Sequence, residues 1–186
     1  MGQLAVFAMG PDRPGIVAAL TGVLVAHGAS IADSQMALLG GRSSIVLVVD
    51  PPHDVDLGLL EDDLGHIADD VGLDVVEVTR LGAPAAAPAG DPTHLLTVYG
   101  IDHPGIVHAV TTELARRRVS ITDLSTRRVE DGGGEPLAAM MLEVAVPAGT
   151  RDDEVAAMLE GVARAQDLDV VVRPLDGLDG PSPDGG

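Results

Sequence analysis

Two short segments hold the residues whose types and spacing could do chemistry. They are Gly10-Pro11-Asp12-Arg13-Pro14-Gly15-Ile16-Val17 and Gly100-Ile101-Asp102-His103-Pro104-Gly105-Ile106-Val107, with the shared core G-x-D-x-P-G-I-V. Each follows a strand-like run and precedes a helical pattern. A proline suits the first turn of a helix, whose N–H has no intrahelical partner, and an aspartate just before it is a natural N-cap. Gly15 and Gly105 leave the backbone N–H groups at the helix start sterically open, and such a start attracts a carboxylate. Asp12 or Asp102 is placed to hold an ammonium at the same time, so the segment suits a zwitterion. The same pattern also makes a plain helix cap with a tight turn, and duplication alone would copy that.

Other candidates carry less chemistry. His103 and His108 lie near one helix start, but their spacing of five misses the i, i+4 placement of helical zinc motifs, and the chain has no cysteine; no metal site or cofactor is expected. The remaining histidines, His27, His53, His66 and His94, form no ligand pattern. No serine sits in a nucleophile elbow, and without lysine there is no phosphate-binding P-loop. Gly132, Gly133 and Gly134 are flanked by Glu130, Asp131 and Glu135, which would repel phosphate; a hairpin tip is expected there. Arg116-Arg117-Arg118 closes a helix where cations suit the dipole, and could also meet an acidic partner.

The elements that must position these loops come in two sets. Gly10 to Asp33 laid over Gly100 to Asp123, at an offset of 90, gives 12 identities in 24 positions, and Leu73-Asp74-Val75-Val76 recurs as Leu168-Asp169-Val170-Val171. In each copy a strand (3–9; 94–100) leads through the loop to an amphipathic helix carrying Ile16, Val17, Leu20, Val23, Leu24 and His27, or Ile106, Val107, Val110 and Leu114. A hairpin follows (30–38 with 44–50; 119–129 with 137–146), turning at Gly40-Gly41 or at Asp131 to Gly134. A helix with acidic starts, Asp54-Val55-Asp56 or Asp152-Asp153-Glu154, and a Val-rich strand close each set. The order βαββαβ, twice, predicts an α+β fold of two ferredoxin-like modules, each an antiparallel four-stranded sheet with two helices on one face. The boundaries expected are 1–81 and 93–175 for the modules, an uncharged Ala/Pro linker at 82–92, and a disordered acidic tail at 176–186.

Composition narrows the function classes. The net charge of -18 comes from 29 acidic residues against 11 arginines, with three arginines against twelve acids in 1–81 and eight against thirteen in 93–175. Such a field repels a phosphate backbone, so direct nucleic-acid binding is not expected. Phe7 and Tyr99 are the only aromatic residues, too few for the base-stacking platforms of RNA-binding versions of this topology. No apolar stretch reaches the roughly 18–20 residues that span a bilayer, and the start of the chain does not read as a signal peptide, so no membrane association is expected and the mature protein is expected to be the whole chain. The lack of cysteine fits a reducing, cytoplasmic compartment.

The segments Asp12 to Val17, Ser30 to Gly40 and Asp102 to Val107 resemble the ACT domain, and both copies, about residues 3–175, are similar to tandem-ACT proteins of the glycine cleavage system transcriptional repressor type. That resemblance implies regulators without chemistry of their own, whose ligands are small amino acids such as glycine or serine. It places the ligand where the strand-to-helix loop of one module meets the second strand of a neighbouring module. Carried over, it points to Asp12, Arg13, Pro14 and Gly15 with Ser30 and Ile31, and to Asp102, His103, Pro104 and Gly105 with Ser120, Ile121 and Asp123. Many members have Asn where this chain has Ser30 and Ser120, and Ser lacks the paired amide donor and acceptor. The resemblance also implies a protein partner, either a transcription regulator or a metabolic enzyme, and a homodimer or a pairing of the two modules within the chain. Two other classes stay open: a ligand-free interaction scaffold, and an acylphosphatase-like enzyme binding phosphate through Arg13. Any effect on transcription should then run through protein contact. In a gel-shift assay at about 50 mM salt, where electrostatic attraction is strongest, the purified protein should leave duplex DNA unshifted. A salt-sensitive shift lost on replacing Arg116, Arg117 and Arg118 with alanine would make it a direct DNA binder.

Overall fold

The computed structural model describes residues 2–82, 90–129 and 135–175. The chain divides into two compact units, Met1–Ala86 and Ala87–Gly186. Most of the expected linker, the Gly132 to Gly134 turn and the acidic tail lie outside the described residues.

In the first unit β1 (Leu4–Pro11), α1 (Ile16–Ala26), β2 (Ser30–Leu39), β3 (Arg42–Asp50), α2 (Leu57–Val71) and β4 (Val75–Arg80) follow one another. The second repeats the order with β5 (His94–Ile101), α3 (Ile106–Arg116), β6 (Ser120–Val129), β7 (Leu137–Ala145), α4 (Asp152–Gln166) and β8 (Leu168–Pro174). The sheets are wholly antiparallel, ordered β2-β3-β1-β4 and β6-β7-β5-β8. Both are therefore ferredoxin-like βαββαβ modules, as the sequence order predicts.

Alternation explains the layering. Leu4, Val6 and Ala8 of β1 and Ile45, Leu47 and Val49 of β3 are buried under the helices, while Phe7 and Met9 stay exposed on the opposite sheet face. The helices answer with i, i+4 stripes: Ile16, Leu20 and Leu24 on α1, Leu60, Leu64 and Ala68 on α2. In the second module Ile106, Val110 and Leu114 play the same part, against Leu96, Val98, Met140, Leu142 and Val144. Each fully buried Leu contributes on the order of 1.5–3 kcal/mol. The β2–β3 hairpin turns through Gly40 and Gly41, both with positive φ (57° and 79°), which fits a two-residue turn and fixes the register Leu39↔Arg42. Ser-Ile-x-Asp opens β2 and β6, and both carry a register shift there, between Ile31 and Asp33 and between Ile121 and Asp123.

Three local expectations need correction. Asp12 and Asp102 cap no helix, and Pro14 and Pro104 lie before the first turn: α1 and α3 begin after Gly15 and Gly105, which are themselves the N-caps, in left-handed conformation and without a side-chain hydrogen bond. The glycine makes the sharp entry itself, so the aspartate, three residues earlier, is out of reach. Likewise α2 starts at Leu57, where Asp56 accepts the Leu59 N–H at 3.2 Å and Asp54 precedes the helix. His27 ends α1 rather than extending its apolar stripe, its Nε2 lying 2.8 Å from Asp63 Oδ2. Among the described residues no helix is long and apolar enough to cross a membrane.

Gly10 and Gly100, the first glycines of the repeated segment, serve packing. A Cβ on Gly10 would lie 2.8 Å from the Leu73 Cα, and one on Gly100 2.5 Å from Leu168 Cδ2 and 3.0 Å from the Asp167 carbonyl oxygen. The end of the first strand of each module is thereby pressed against the start of its last. Gly10→Ala should lower stability in chemical denaturation by about 1–3 kcal/mol, because the backbone of Leu73 must move. An unchanged midpoint would mean that this close approach constrains nothing.

Candidate functional site

The loop after the first strand is held from both sides in each module. In the first, the Asp12 N–H donates to the Gly41 carbonyl at 3.3 Å and the buried Ser43 hydroxyl donates to the Asp12 carboxylate at 2.6 Å. In the second, the Asp102 N–H donates to the Pro136 carbonyl at 2.7 Å, and Arg128 donates to the Asp102 carboxylate from Nε at 2.7 Å and approaches it from Nη2 at 2.5 Å. The next position closes the far end of the second helix. Arg13 donates from Nη1 to the Val71 carbonyl at 3.4 Å, lying over Gly72 so closely that a Cβ there would be 2.8 Å from it. His103 puts Nε2 at 3.3 Å from the Gln166 carbonyl oxygen. Arginine and histidine thus meet corresponding carbonyls at a helix C-terminus, where the dipole favours a donor. That contact places the Arg13 guanidinium beside the end of α2.

Gly15 and Gly105 follow, with φ of 97° and 103°, and among the described residues a Cβ placed on either would meet nothing within 4 Å beyond its own chain neighbours. Their carbonyls accept the Ala19 and Ala109 N–H groups at 2.9 Å, so the helix ladder starts there. Neither α1 nor α3 has a capping side chain or an acidic residue in its first turn. The first N–H groups of such a helix have no intrahelical acceptor, and among the described residues no side chain caps them.

In the second module these donors open onto a cleft of about 550 Å³ between the start of α3 and the helix-side face of β6 and β7. Asp102, His103, Gly105, Val107 and His108 line one wall, Thr126, Arg127 and Arg128 the other, with Ala138 and Met140 at its floor. The polar residues His108, Thr126, Arg127 and Arg128 of this lining are absent from the residues singled out in the sequence as ligand contacts. The signal was there: the offset of 90, carried past Asp123, sets Thr126 and Arg128 opposite Met36 and Leu38, a change from apolar to polar on the same strand face. Among the described residues no cluster of three His, Cys, Asp or Glu side chains could hold a metal ion.

The second-strand candidates lie elsewhere. Ser30 pairs with Asp50 and Ser120 with Ala145, whereas the loops leave the sheet beside Arg42 and Leu137. Eight residues of strand separate the two ends, roughly 26 Å at 3.3 Å per residue. A single module therefore does not bring Ser30 and Ile31 to Asp12 and Gly15, nor Ser120, Ile121 and Asp123 to Asp102 and Gly105.

Two βαββαβ modules with the same glycine-initiated helix, each built on one antiparallel sheet, define a tandem of one small-domain type. The chain belongs to the ACT domain family, whose models match residues 3–77 and 94–157. It is 36% identical over 77 residues to a UPF0237 protein of Methanopyrus kandleri, covering 41% of this chain and 86% of that protein. It is also 30% identical over 167 residues to a phosphoserine phosphatase of Mycobacterium tuberculosis, covering 88% of this chain but 38% of the phosphatase. Among solved structures, an unknown protein from Galdieria sulphuraria superposes with a TM-score of 0.74 at 27% identity, covering 94% of this chain and 98% of the other. A protein described as a "putative glycine cleavage system transcriptional repressor" shares the fold with a TM-score of 0.70 at 18% identity, over 94% and 97% of the two chains.

The glycine conformation supplies a direct test of this geometry. Gly105→Val forces a β-branched side chain to a positive φ and should cost about 1–3 kcal/mol in urea denaturation, although its Cβ meets open space. No measurable loss would mean that the loop relaxes to an ordinary helix entry.

Proposed function

We propose that the chain is an amino-acid-sensing regulatory protein that acts, without chemistry of its own, by contact with a transcription regulator or metabolic enzyme. The observation that carries this reading is the uncapped start of α3 after Gly105, opening onto a cleft that also presents Asp102. An α-carboxylate would accept from the free N–H groups of the first turn, where the helix dipole is positive, and an ammonium would sit against Asp102. The two ends of an amino acid thus meet opposite charge within one cleft. Membership of the ACT family and the family's regulatory ligands favour the same ligand class, a small amino acid such as glycine or serine.

The separation of about 26 Å along the sheet bears on how a complete site would be assembled. If Ser30 and Ile31, or Ser120, Ile121 and Asp123, contribute contacts, they do so from a neighbouring module, supplied by the other half of the chain or by a second copy. On this reading Asp12, Arg13, Pro14 and Gly15 shape the first loop, and Asp102, His103, Pro104 and Gly105 the second, with Arg13 and His103 acting as pins. The protein works in the cytoplasm and contacts neither membrane nor nucleic acid directly.

A thermal-shift screen against the twenty amino acids tests the reading. A ligand at 100 times its dissociation constant should stabilise the fold by about 2.7 kcal/mol, raising Tm by several degrees. No shift with any of them would leave the modules as a ligand-free interaction scaffold.

A further inference from the structure

We infer that sensing is confined to the second module, where the ion pair Arg128–Asp102 is the recognition element for a zwitterion, and that the first module has lost its site. This rests on the amino-acid reading above and narrows it to one cleft. The two modules share the loop and the glycine turn, so the difference lies in the opposite wall. On the helix-side face of the second strand, Thr126 and Arg128 pair with Met140 and Ala138; in the first module the same places are taken by Met36 and Leu38, paired with Ile45 and Ser43. On the first helix His108 stands where the first module has Ala18. Every cleft-facing polar group beyond the loop itself is thus apolar in the first copy.

The electrostatics follow. In the second module both signs of charge stand at the cleft mouth: the Asp102 carboxylate is about a quarter exposed and the Arg128 guanidinium mostly so. Arg128 approaches one carboxylate oxygen of Asp102 with both Nε and Nη2, which leaves the other oxygen and the remaining guanidinium N–H groups for a ligand. An amino acid entering between them keeps each charge matched, its ammonium on Asp102 and its carboxylate on Arg128 and the first turn of α3. In the first module Asp12 is held by the neutral Ser43 hydroxyl, and among the described residues no cation pairs with it. An incoming carboxylate there meets an unneutralised aspartate beside Leu38, which offers no donor. That wall can neither bind a carboxylate nor offset the loop charge.

Isothermal titration of the full chain with each of the twenty amino acids tests this. The expected result is one ligand bound per chain. Arg128→Leu, which installs the residue of the first module, should weaken binding by about tenfold or more, since a charge-assisted hydrogen bond is lost. Its apo Tm should stay near that of the parent, because the pair is exposed. Arg128→Lys, keeping the charge but not the forked donors, should fall between the two. Leu38→Ala should leave affinity unchanged. Two ligands per chain, or undiminished binding by Arg128→Leu, overturns the assignment while leaving the amino-acid reading intact. No binding by the parent protein overturns both.

Discussion

At Gly15 and Gly105 the chain must leave a strand and enter a helix with φ near 100°, a conformation in which an L side chain is strained. The rest of each module's upper end depends on that turn. Because the backbone makes the entry by itself, no side chain is needed as a cap, and the first N–H groups of the helix are left facing outward. Because the turn is compact, the preceding aspartate is free to bond sideways, to Ser43 in one module and Arg128 in the other. A conventional Asp cap in the same place would have consumed both the donors and the carboxylate.

Around the turn, the two modules solve the same problems with different residues. Arg13 and His103 both close a helix C-terminus, and Ser43 and Arg128 both hold the loop carboxylate. The packing beneath is less free. Gly10 and Gly100 admit the neighbouring last strand so closely that no side chain fits, and the glycine recurs. On the cleft wall, by contrast, Thr126 and Arg128 of the second copy stand where the first has Met36 and Leu38.

Most of the fold was legible in the sequence because period and repetition are local properties. Short apolar runs bounded by turn residues marked β1 and β3, apolar residues at helical spacing marked the helices, and the copy-to-copy match fixed their order. The N-cap was misread because Asp-x-Pro-Gly satisfies two rules at once, the preference of Asp for caps and the preference of Gly for positive φ, and only the backbone geometry decides between them. The resemblance sets Ser30 and Ser120 against the loop of a neighbouring module, and within one module the antiparallel sheet carries them to the end away from the loop, because strand direction turns sequence distance into space. The cleft wall from Thr126 to Arg128 was missed because it reaches the loop only through strand pairing with Met140 and Ala138.

On the proposed reading, the open N–H groups of the first turn of α3 receive a carboxylate. This contact is tested most directly by following the backbone amides of Ile106, Val107 and His108 in ¹H–¹⁵N correlation spectra of the full chain, titrated in turn with each of the twenty amino acids. Saturable downfield movement of these amide protons is expected with at least one of them, the change produced when a charged acceptor replaces water. Saturable changes confined to residues away from Gly105, or no saturable change with any amino acid, would contradict it.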